Sequence, residues 1–204
     1  MTATAIGAYA TAALLKSRLG IADTTDDTVI ASVCDQVNQY VETKTGRVLA
    51  PVASAAILFD GDGSRCLRYP RGILAVSLLE CADYTGGAYV TVAASQYFLR
   101  PGPADLRPGW PYTRIEFTDR PTGTFTCFPS GFDTVRVTMT TGWAAIPDDI
   151  TELALVAATR AWHAVESGQQ DIVGTDDMGR PLVSRFFSAR DLETLRTYGV
   201  DLPG

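Results

Sequence analysis

The spacing of the apolar residues changes twice along this chain of 204 residues. Up to Gly46 they recur every three or four positions, as they do on one face of an amphipathic helix. Between Pro51 and Gly142 they fall in short β-rich runs separated by Gly, Pro and Asp, which is typical of antiparallel strands. After Gly142 the helical spacing returns. The pattern predicts an α+β fold, in which a small helical body of four helices carries an inserted antiparallel β-sandwich or barrel-like domain.

Two helices are predicted before the β insert. The first follows an apolar stripe that starts at Ile6 and stops at Gly20, a residue suited to the left-handed conformation that closes a helix. The second covers residues 26–45, which is about 30 Å of helix at 1.5 Å per residue. Its predicted core-facing residues include Val33, Val37 and Tyr40.

Two further helices are predicted after the insert. Pro147, Asp148 and Asp149 mark the start of one, because proline fits the first turn and acids favour the positive end of the helix dipole. Ser188, followed three residues later by Asp191, is typical of a capping box at the start of the other. The predicted core-facing residues of the longer helix include Leu153, Ala157 and Trp162.

The insert is predicted to consist of short strands and tight turns. The Asp60-Gly-Asp-Gly63 and Thr85-Gly-Gly87 sequences are expected to connect neighbouring strands. The proline-rich stretch 100–111 lacks ladder donors and is expected to be an exposed loop. The predicted strands are 56–59, 66–69, 74–82, 88–92, 96–100, 113–118, 123–128 and 135–141.

These patterns divide the chain into a body, an insert and an arm. Residues 168–187 are polar and rich in Gly and Asp, so we expect a flexible segment that orders on contact with a partner. The predicted segments are 1–50 and 143–167 for the helical body, 51–142 for the β domain, and 168–204 for the flexible segment and C-terminal helix.

The net charge of the chain argues against one class of function, nucleic-acid binding. The chain has 17 Lys and Arg against 23 Asp and Glu, a net charge of −6 at pH 7. Proteins that grip nucleic acid through phosphate contacts need a basic surface, which this composition does not supply. No apolar run approaches the roughly 18 residues that span a bilayer, and the first basic residue, Lys16, follows the apolar N-terminal stretch instead of preceding it as in a secretory signal. We expect a soluble protein without a membrane partner.

No constellation of catalytic or metal-binding residues stands out. The four Cys are far apart and His163 is the only histidine, so neither a zinc site nor a redox pair is predicted. The Asp60-Gly-Asp-Gly-Ser64 sequence begins like a calcium loop, but Arg71 stands at the twelfth position, where a carboxylate is needed. We expect no catalytic residue, no metal and no cofactor. A small hydrolase that uses His163 as general base is the weakest alternative.

Three stretches carry a more specific pattern. Residues 14–21 end in Leu-Gly-Ile, residues 40–47 end in Thr-Gly-Arg, and residues 141–150 lead from Gly-Trp through small residues to a Pro-Asp-Asp helix start. In these features the chain resembles the head-tail connector or adaptor proteins found beneath the portal of long-tailed phages. The β insert is similar to that of the larger members of the family, including the Phe59-Asp-Gly-Asp-Gly63 sequence and the Leu67-Arg-Tyr-Pro70 sequence after it.

The resemblance implies a structural virion protein and not an enzyme. Members of the family form a ring, commonly a dodecamer, that docks on the portal protein, extends the DNA channel and presents a surface to the stopper or tail-terminator protein. The same role here implies a homo-oligomer at the head-tail junction of the virion, made in the host cytoplasm. Double-stranded DNA would pass through it without specific binding.

The C-terminal arm is the candidate binding region. Two adjacent phenylalanines, Phe186 and Phe187, cannot both face one small core, so one of them is a candidate anchor for another chain, with core packing as the alternative. The family's C-terminal region commonly binds the portal. This implies a portal- or neighbour-binding role for Arg185, Phe186, Phe187, Leu195 and Tyr198.

The acidic excess suits a DNA channel, because carboxylates repel phosphates that Lys or Arg would hold. We therefore hypothesise that Asp171, Asp176, Asp177 and Asp191 line the channel. A virion-associated β-sandwich that binds a carbohydrate or receptor is the alternative, with Trp110, Tyr112 and the proline-rich loop as its site.

Overall fold

The computed structural model of the protein describes residues 7–101, 109–119, 123–167, 172–175, 181–183 and 186–199. Arg47–Ala145 forms one compact unit, the β unit, and the described residues up to Gly46 and from Ile146 to Gly199 form another, the helical unit. The helices in these ranges are α1 (Ala12–Leu19), α2 (Asp27–Thr45), α3 (Asp148–Glu166) and α4 (Ala189–Thr197). The strands are β1 (Val52–Gly61), β2 (Cys66–Cys81), β3 (Val90–Thr91), β4 (Tyr97–Arg100), β5 (Tyr112–Phe117), β6 (Gly131–Thr141), β7 (Ile172–Thr175) and β8 (Pro181–Val183).

The two long helices form the core of the helical unit. α2 ends at Gly46, whose φ of 68° is the left-handed conformation expected of a closing glycine. The apolar faces of α2 and α3 supply the buried side chains, which include Val33, Val37, Leu153, Ala157 and Trp162, while Tyr40 is half-buried. Arg18 on α1 forms a bidentate ion pair with Glu152 on α3, at 2.8 and 2.9 Å. The pair is exposed, so its contribution to stability is at most about 1 kcal/mol.

Helix α1 is shorter than its apolar stripe predicts. It begins at Ala12, where the Thr11 hydroxyl accepts a hydrogen bond from the Leu14 N–H at 3.3 Å. The residues before it are held by side chains of α2 and not by helical bonds. Buried Asn38 accepts the Ala10 N–H at 2.8 Å and donates to the Ala10 carbonyl at 3.0 Å. These bonds fix the entry of the chain into the helical unit.

The β unit contains a six-stranded antiparallel sheet. Its strand order is β1-β6-β2-β5-β4, and β3 pairs with β2. The long strand β2 joins two halves of the sheet, since its first part pairs with β5, its second part pairs with β6, and Ile73 takes part in both pairings. β1 and β4 lie at the two edges, so the sheet is open and not a closed barrel. Its core includes Leu79, Ile115, Phe117, Phe128, Val135 and Val137.

Two glycines allow a close backbone approach within the β unit. Gly72 and Gly142 have φ angles of 105° and 88°, and the Gly142 N–H donates to the Gly72 carbonyl at 3.1 Å. A Cβ atom on Gly142 would lie 2.0 Å from the Ala50 carbonyl oxygen, which no side chain can tolerate. The bend in β2 and the exit from β6 therefore both depend on glycine.

Three predictions for the β insert are wrong, two about strands and one about a turn. Residues 66–69 and 74–82 belong to one continuous strand, β2, because Gly72 lets the strand bend without ending. Residues 123–128 form bends and not a strand, although Phe125 and Phe128 are buried in the core. The turn after β1 does not join neighbouring strands, since β6 lies between β1 and β2. The Thr85-Gly-Gly87 turn does connect neighbours, β2 and β3.

Part of the polar segment before α4 is described. Its described residues include a small antiparallel pair, β7 with β8. Arg185, Asp171, Asp176 and Asp177 lie outside the described residues.

Candidate functional site

An apolar groove lies in the helical unit beside the candidate anchor residues. Its volume is about 170 Å³. The residues that line it come from α2, from α3 and from the segment before α4; they are Val33, Gln36, Val37, Tyr40, Ala161, Phe186 and Phe187. We call this the aromatic groove. Its size suits one inserted side chain better than a small-molecule ligand, because ligand pockets usually measure about 300–1,000 Å³.

The two adjacent phenylalanines have different environments. Phe187 is only 4% exposed and stacks on Tyr40, with ring centroids 4.4 Å apart and an interplanar angle of 13°. Phe186 is 40% exposed and lines the mouth of the same groove. Phe187 is therefore part of the packed wall, and Phe186 is the ring that remains available to another chain.

A capping box fixes the chain directly after the two rings. The Ser188 hydroxyl accepts the Asp191 N–H at 3.2 Å, and the Asp191 carboxylate accepts the Ser188 N–H at 2.7 Å. Arg160 on α3 donates to the same carboxylate at 2.8 Å and to the Phe186 carbonyl at 3.1 Å. Burial opposes ionisation of Asp191, but the hydrogen bonds from Ser188 and Arg160 outweigh it and lower its pKa below the ordinary value.

The rest of α4 is held against the helical unit. Leu195 is 1% exposed, so its side chain is already used in packing. The Tyr198 hydroxyl donates to the two carboxylate oxygens of Asp149, at 2.8 and 3.0 Å. Burial, and then the hydrogen bond to that carboxylate, raise the pKa of Tyr198 to about 12. Tyr198 therefore joins the C-terminal end of α4 to the first turn of α3.

The structure thus brings together only part of the predicted binding set. Phe186, Phe187 and Tyr198 lie along the segment that packs on α2 and α3, and of these Phe186 has the most accessible ring. Asp191 was expected to line a channel, but its carboxylate is occupied by the capping box and by Arg160. Sequence reasoning missed Arg160. Its pairing with Asp191 spans 31 positions, and no local pattern signals such a contact.

The residues of the alternative functions have ordinary structural surroundings. The ring of Trp110 packs edge-on against that of buried Trp143, with centroids 4.8 Å apart. His163 is exposed and contacts Glu166 on the same helix at 3.3 Å. Within the described ranges, no group of three or more His, Cys, Asp or Glu side chains could hold a metal ion, and no helix combines the length and apolar character of a membrane span.

Two of the cysteines are buried thiols. Burial raises the pKa of Cys34 to about 11 and that of Cys81 to about 12. Both thiols therefore stay protonated at neutral pH, and a protonated thiol is a poor nucleophile.

No known protein family matches the chain, and no curated protein matches it significantly in sequence. Solved structures do share its fold. A chain in the virion of the native gene transfer agent (GTA) particle has 19% identity and a TM-score of 0.60, covering 99% of this chain and 96% of that chain. A chain in the neck of the empty GTA particle, computed with C6 symmetry, has 17% identity and a TM-score of 0.59 over 98% and 95% of the two chains. A chain in the neck of the native GTA particle, computed with C12 symmetry, has 18% identity and a TM-score of 0.58 over 98% and 95%. The protein therefore has the fold of chains found in the neck and virion of gene transfer agent particles.

Proposed function

We propose that this protein is a structural component of the neck of a phage-like particle and acts there as a head-to-tail adaptor. Copies form a ring beneath the portal, extend the DNA channel and provide the attachment surface for the stopper or tail. The observation that carries the proposal is the fold likeness to GTA neck and virion chains, which spans 98–99% of this chain. The stretches 14–21, 40–47 and 141–150, which resemble adaptor proteins, support the same function.

A ring is favoured by the symmetry of the related assemblies, whose necks were computed with C6 and C12 symmetry. A cyclic ring needs heterologous interfaces, in which one patch of each subunit meets a different patch of the next. An exposed aromatic ring beside an apolar groove fits such an interface, because buried aromatic anchors dominate binding energy. We therefore assign Phe186 to contact with the portal or the neighbouring subunit. Phe187 and Leu195 support it by fixing the groove and α4.

The channel of such a ring must let DNA slide. Acidic residues repel phosphates, so the net charge of −6 fits a channel wall better than a DNA-gripping surface. We propose that Asp171, Asp176 and Asp177 face the channel. Asp191 is a weaker candidate, because its carboxylate already pairs with Arg160.

The test is assembly of the full-length chain with the portal protein of the same particle. The purified chain is mixed with assembled portal and examined by electron microscopy and by native mass measurement. We expect a ring of chains on one end of each portal. A chain that stays unassociated beside bare portals, or that is missing from purified particles, would refute the adaptor role.

A glycan- or receptor-binding module predicts the opposite behaviour in the same assay. It would remain separate from the portal and would lose its ligand on substitution of Trp110. Since Trp110 packs against Trp143, the control for that substitution is a measurement of thermal unfolding.

A further inference from the structure

Three segments of the β unit converge at one end of the sheet. They are the end of β1 with the turn after it, the loop between β2 and β3, and the residues that lead into β6. Gly61 of β1 pairs with Gly131, and the Ala82 N–H after β2 donates to the Thr134 carbonyl at 2.8 Å. The Thr85 hydroxyl donates to the Phe132 carbonyl at 2.9 Å. We call residues 60–64, 82–90 and 128–134 the sheet tip.

Two aromatic side chains of the sheet tip are open to solvent. Phe132 is 73% exposed and Tyr84 is 67% exposed, although neither belongs to the core of the β unit. Val90, also at the tip, is another exposed apolar residue. Single exposed apolar residues are ordinary, but large aromatic side chains grouped on adjoining loops mark contact surfaces. Aromatic side chains are also among the residues that most often dominate binding energy.

The backbone around Phe132 is held rigidly. Its neighbour Asp133 has a φ of 51°, a left-handed conformation that is uncommon for any residue but glycine. The Asp133 N–H donates to the Asp60 carboxylate at 2.9 Å, and the Tyr89 hydroxyl donates to the Asp133 carbonyl at 2.5 Å. The Thr134 hydroxyl donates to the Pro129 carbonyl at 2.6 Å. These hydrogen bonds hold Phe132 outward before a partner binds. Less conformational entropy is then lost on binding.

The charge of the sheet tip has one sign. Its three segments contain four acids, Asp60, Asp62, Asp83 and Asp133, and neither Lys nor Arg. Two arginines adjoin these segments, and both have acidic partners. Arg65 donates to the carbonyls of Phe117 and Thr118 and to Asp119. Arg136 lies 4.2 Å from the ring centroid of Tyr89 and forms a bidentate pair with Glu80. The exposed rings are therefore rimmed by carboxylates, and a matching surface needs a basic rim.

We propose that the sheet tip is a docking surface for a different protein of the particle, one that offers an apolar pocket rimmed by Lys or Arg. A tip-to-tip contact between two copies of this chain is disfavoured, because each tip carries the same four acids. Phe132 and Tyr84 enter the pocket, and the aspartates steer the approach. This inference rests on the proposed neck function and names the chemistry of one partner.

The direct test places a photo-crosslinking phenylalanine analogue at position 132 of the full-length chain. Particles are assembled with this chain, irradiated and digested, and the cross-linked peptides are identified by mass spectrometry. We expect peptides of another particle protein, from a segment that contains Lys or Arg. Cross-links only to other copies of this chain would overturn the choice of partner. An absence of cross-links in particles that contain the chain would overturn the docking surface.

Paired substitutions separate this inference from the adaptor role. We expect the double variant Tyr84→Ser with Phe132→Ser to unfold at the wild-type temperature and to form rings on the portal. Its yield of completed particles should fall at least about tenfold. Phe98→Ser is the matched control, because Phe98 is 52% exposed on edge strand β4, outside the tip, and completed particles should be unaffected. If the double variant completes particles at the wild-type level, the docking surface is refuted while the adaptor role stands. If the wild-type chain forms no ring and enters no particle, the adaptor role fails and this inference fails with it.

A change of charge in the sheet tip tests whether the partner's pocket has a basic rim. We expect Asp83→Lys to reduce the yield of completed particles and to make that yield less dependent on salt concentration. The substitution removes part of the attraction to a basic rim on the partner. An unchanged yield with unchanged salt dependence would contradict the basic rim.

Discussion

Asn38 is a single buried amide that fixes the path of the N-terminal segment. It satisfies both backbone groups of Ala10, which would otherwise be unpaired away from water. Tyr9 is fully buried beside it, and its hydroxyl donates to Glu42 at 3.1 Å. The approach to α1 is thus determined by side chains on α2.

Replacing Asn38 with Ala should lower the free energy of unfolding by about 1–3 kcal/mol, because it leaves buried backbone groups without partners. The measurement is chemical denaturation of the full-length chain. Gln39→Ala is the control, because Gln39 is the next residue on α2, carries a similar amide and is exposed; its effect should stay within about 0.5 kcal/mol. Equal effects of the two substitutions would contradict the role given to Asn38.

Substitutions of the two adjacent phenylalanines should have different effects, one on stability and the other on assembly. Phe187→Ala removes a buried, stacked ring and should cost about 3–5 kcal/mol of stability. Phe186→Ser should cost less than about 1 kcal/mol but should prevent ring formation on the portal. Thermal unfolding and electron microscopy of portal mixtures measure the two effects. Normal rings from a stable Phe186→Ser chain would show that Phe186 is not the anchor.

The capping box at α4 should give the protein an acid-sensitive element. The folded-state pKa of Asp191 lies below its ordinary value of 3.8, so the folded chain binds this proton less readily than the unfolded chain. The resulting stability is complete above about pH 5 and is lost as the pH falls through the folded-state pKa. We expect the stability advantage of the wild type over Asp191→Asn to be constant above that pH and to shrink below it. An advantage that is independent of pH down to acid unfolding would rule out the charged pairing.

The bounds of the helices could be predicted from the sequence more closely than the pairing of the strands. The bounds of α2 and α3 follow from local signals, since the acids of the first turn, the proline before α3, the glycine after α2 and the apolar spacing all act within a few residues. α2, observed at Asp27–Thr45, begins one position after its predicted range of 26–45, and α3 begins at Asp148, within the predicted start. The start of α4 at Ser188 is likewise set by its own capping box.

Strand pairing depends on residues that are distant in the sequence. β6 lies between β1 and β2, and no local pattern announces an insertion of that kind. Residues 123–128 have the composition of a strand but form bends, with Phe125 and Phe128 buried. The aromatic groove escaped prediction for the same reason, because it forms only when the segment before α4 packs on α2 and α3. The presence of two candidate phenylalanines could be predicted; which one is buried could not.

Gly142, at the exit from β6, should not tolerate a larger residue. In Gly142→Ala, the new Cβ would meet the Ala50 carbonyl in a left-handed backbone conformation, so we expect a loss of roughly 2–6 kcal/mol from strain and overpacking together. Gly86→Ala is the matched control in the same unit, because Gly86 has a φ of 80° with no atom near its Cβ position, and should cost about 1–2 kcal/mol. Chemical denaturation of both variants measures the difference. Similar losses would mean that the close approach at Ala50 relaxes easily.

The acidic excess of the chain should affect how DNA moves through the proposed ring. Replacing Asp171, Asp176 and Asp177 together with Lys should leave ring formation intact but slow DNA release from particles, because the channel would then hold phosphates. The rate of DNA release from purified particles measures the effect. The control makes the same change of charge at Asp35, Glu166 and Glu193, which are exposed on the helices. If both triple variants release DNA at the same rate, the three aspartates do not line the channel.

The two edges of the sheet are unequal in a way that matters before assembly. β4 is four residues long, whereas β1 is ten residues long and is paired, among the described strands, only with β6. From Val52 to Phe59 the β1 strand has no charged residue and no proline, the features that usually prevent edges from pairing with other chains. An isolated chain therefore offers a template for unwanted strand addition. We expect the chain to form aggregates when it is synthesised in excess of the particle proteins proposed to bind it.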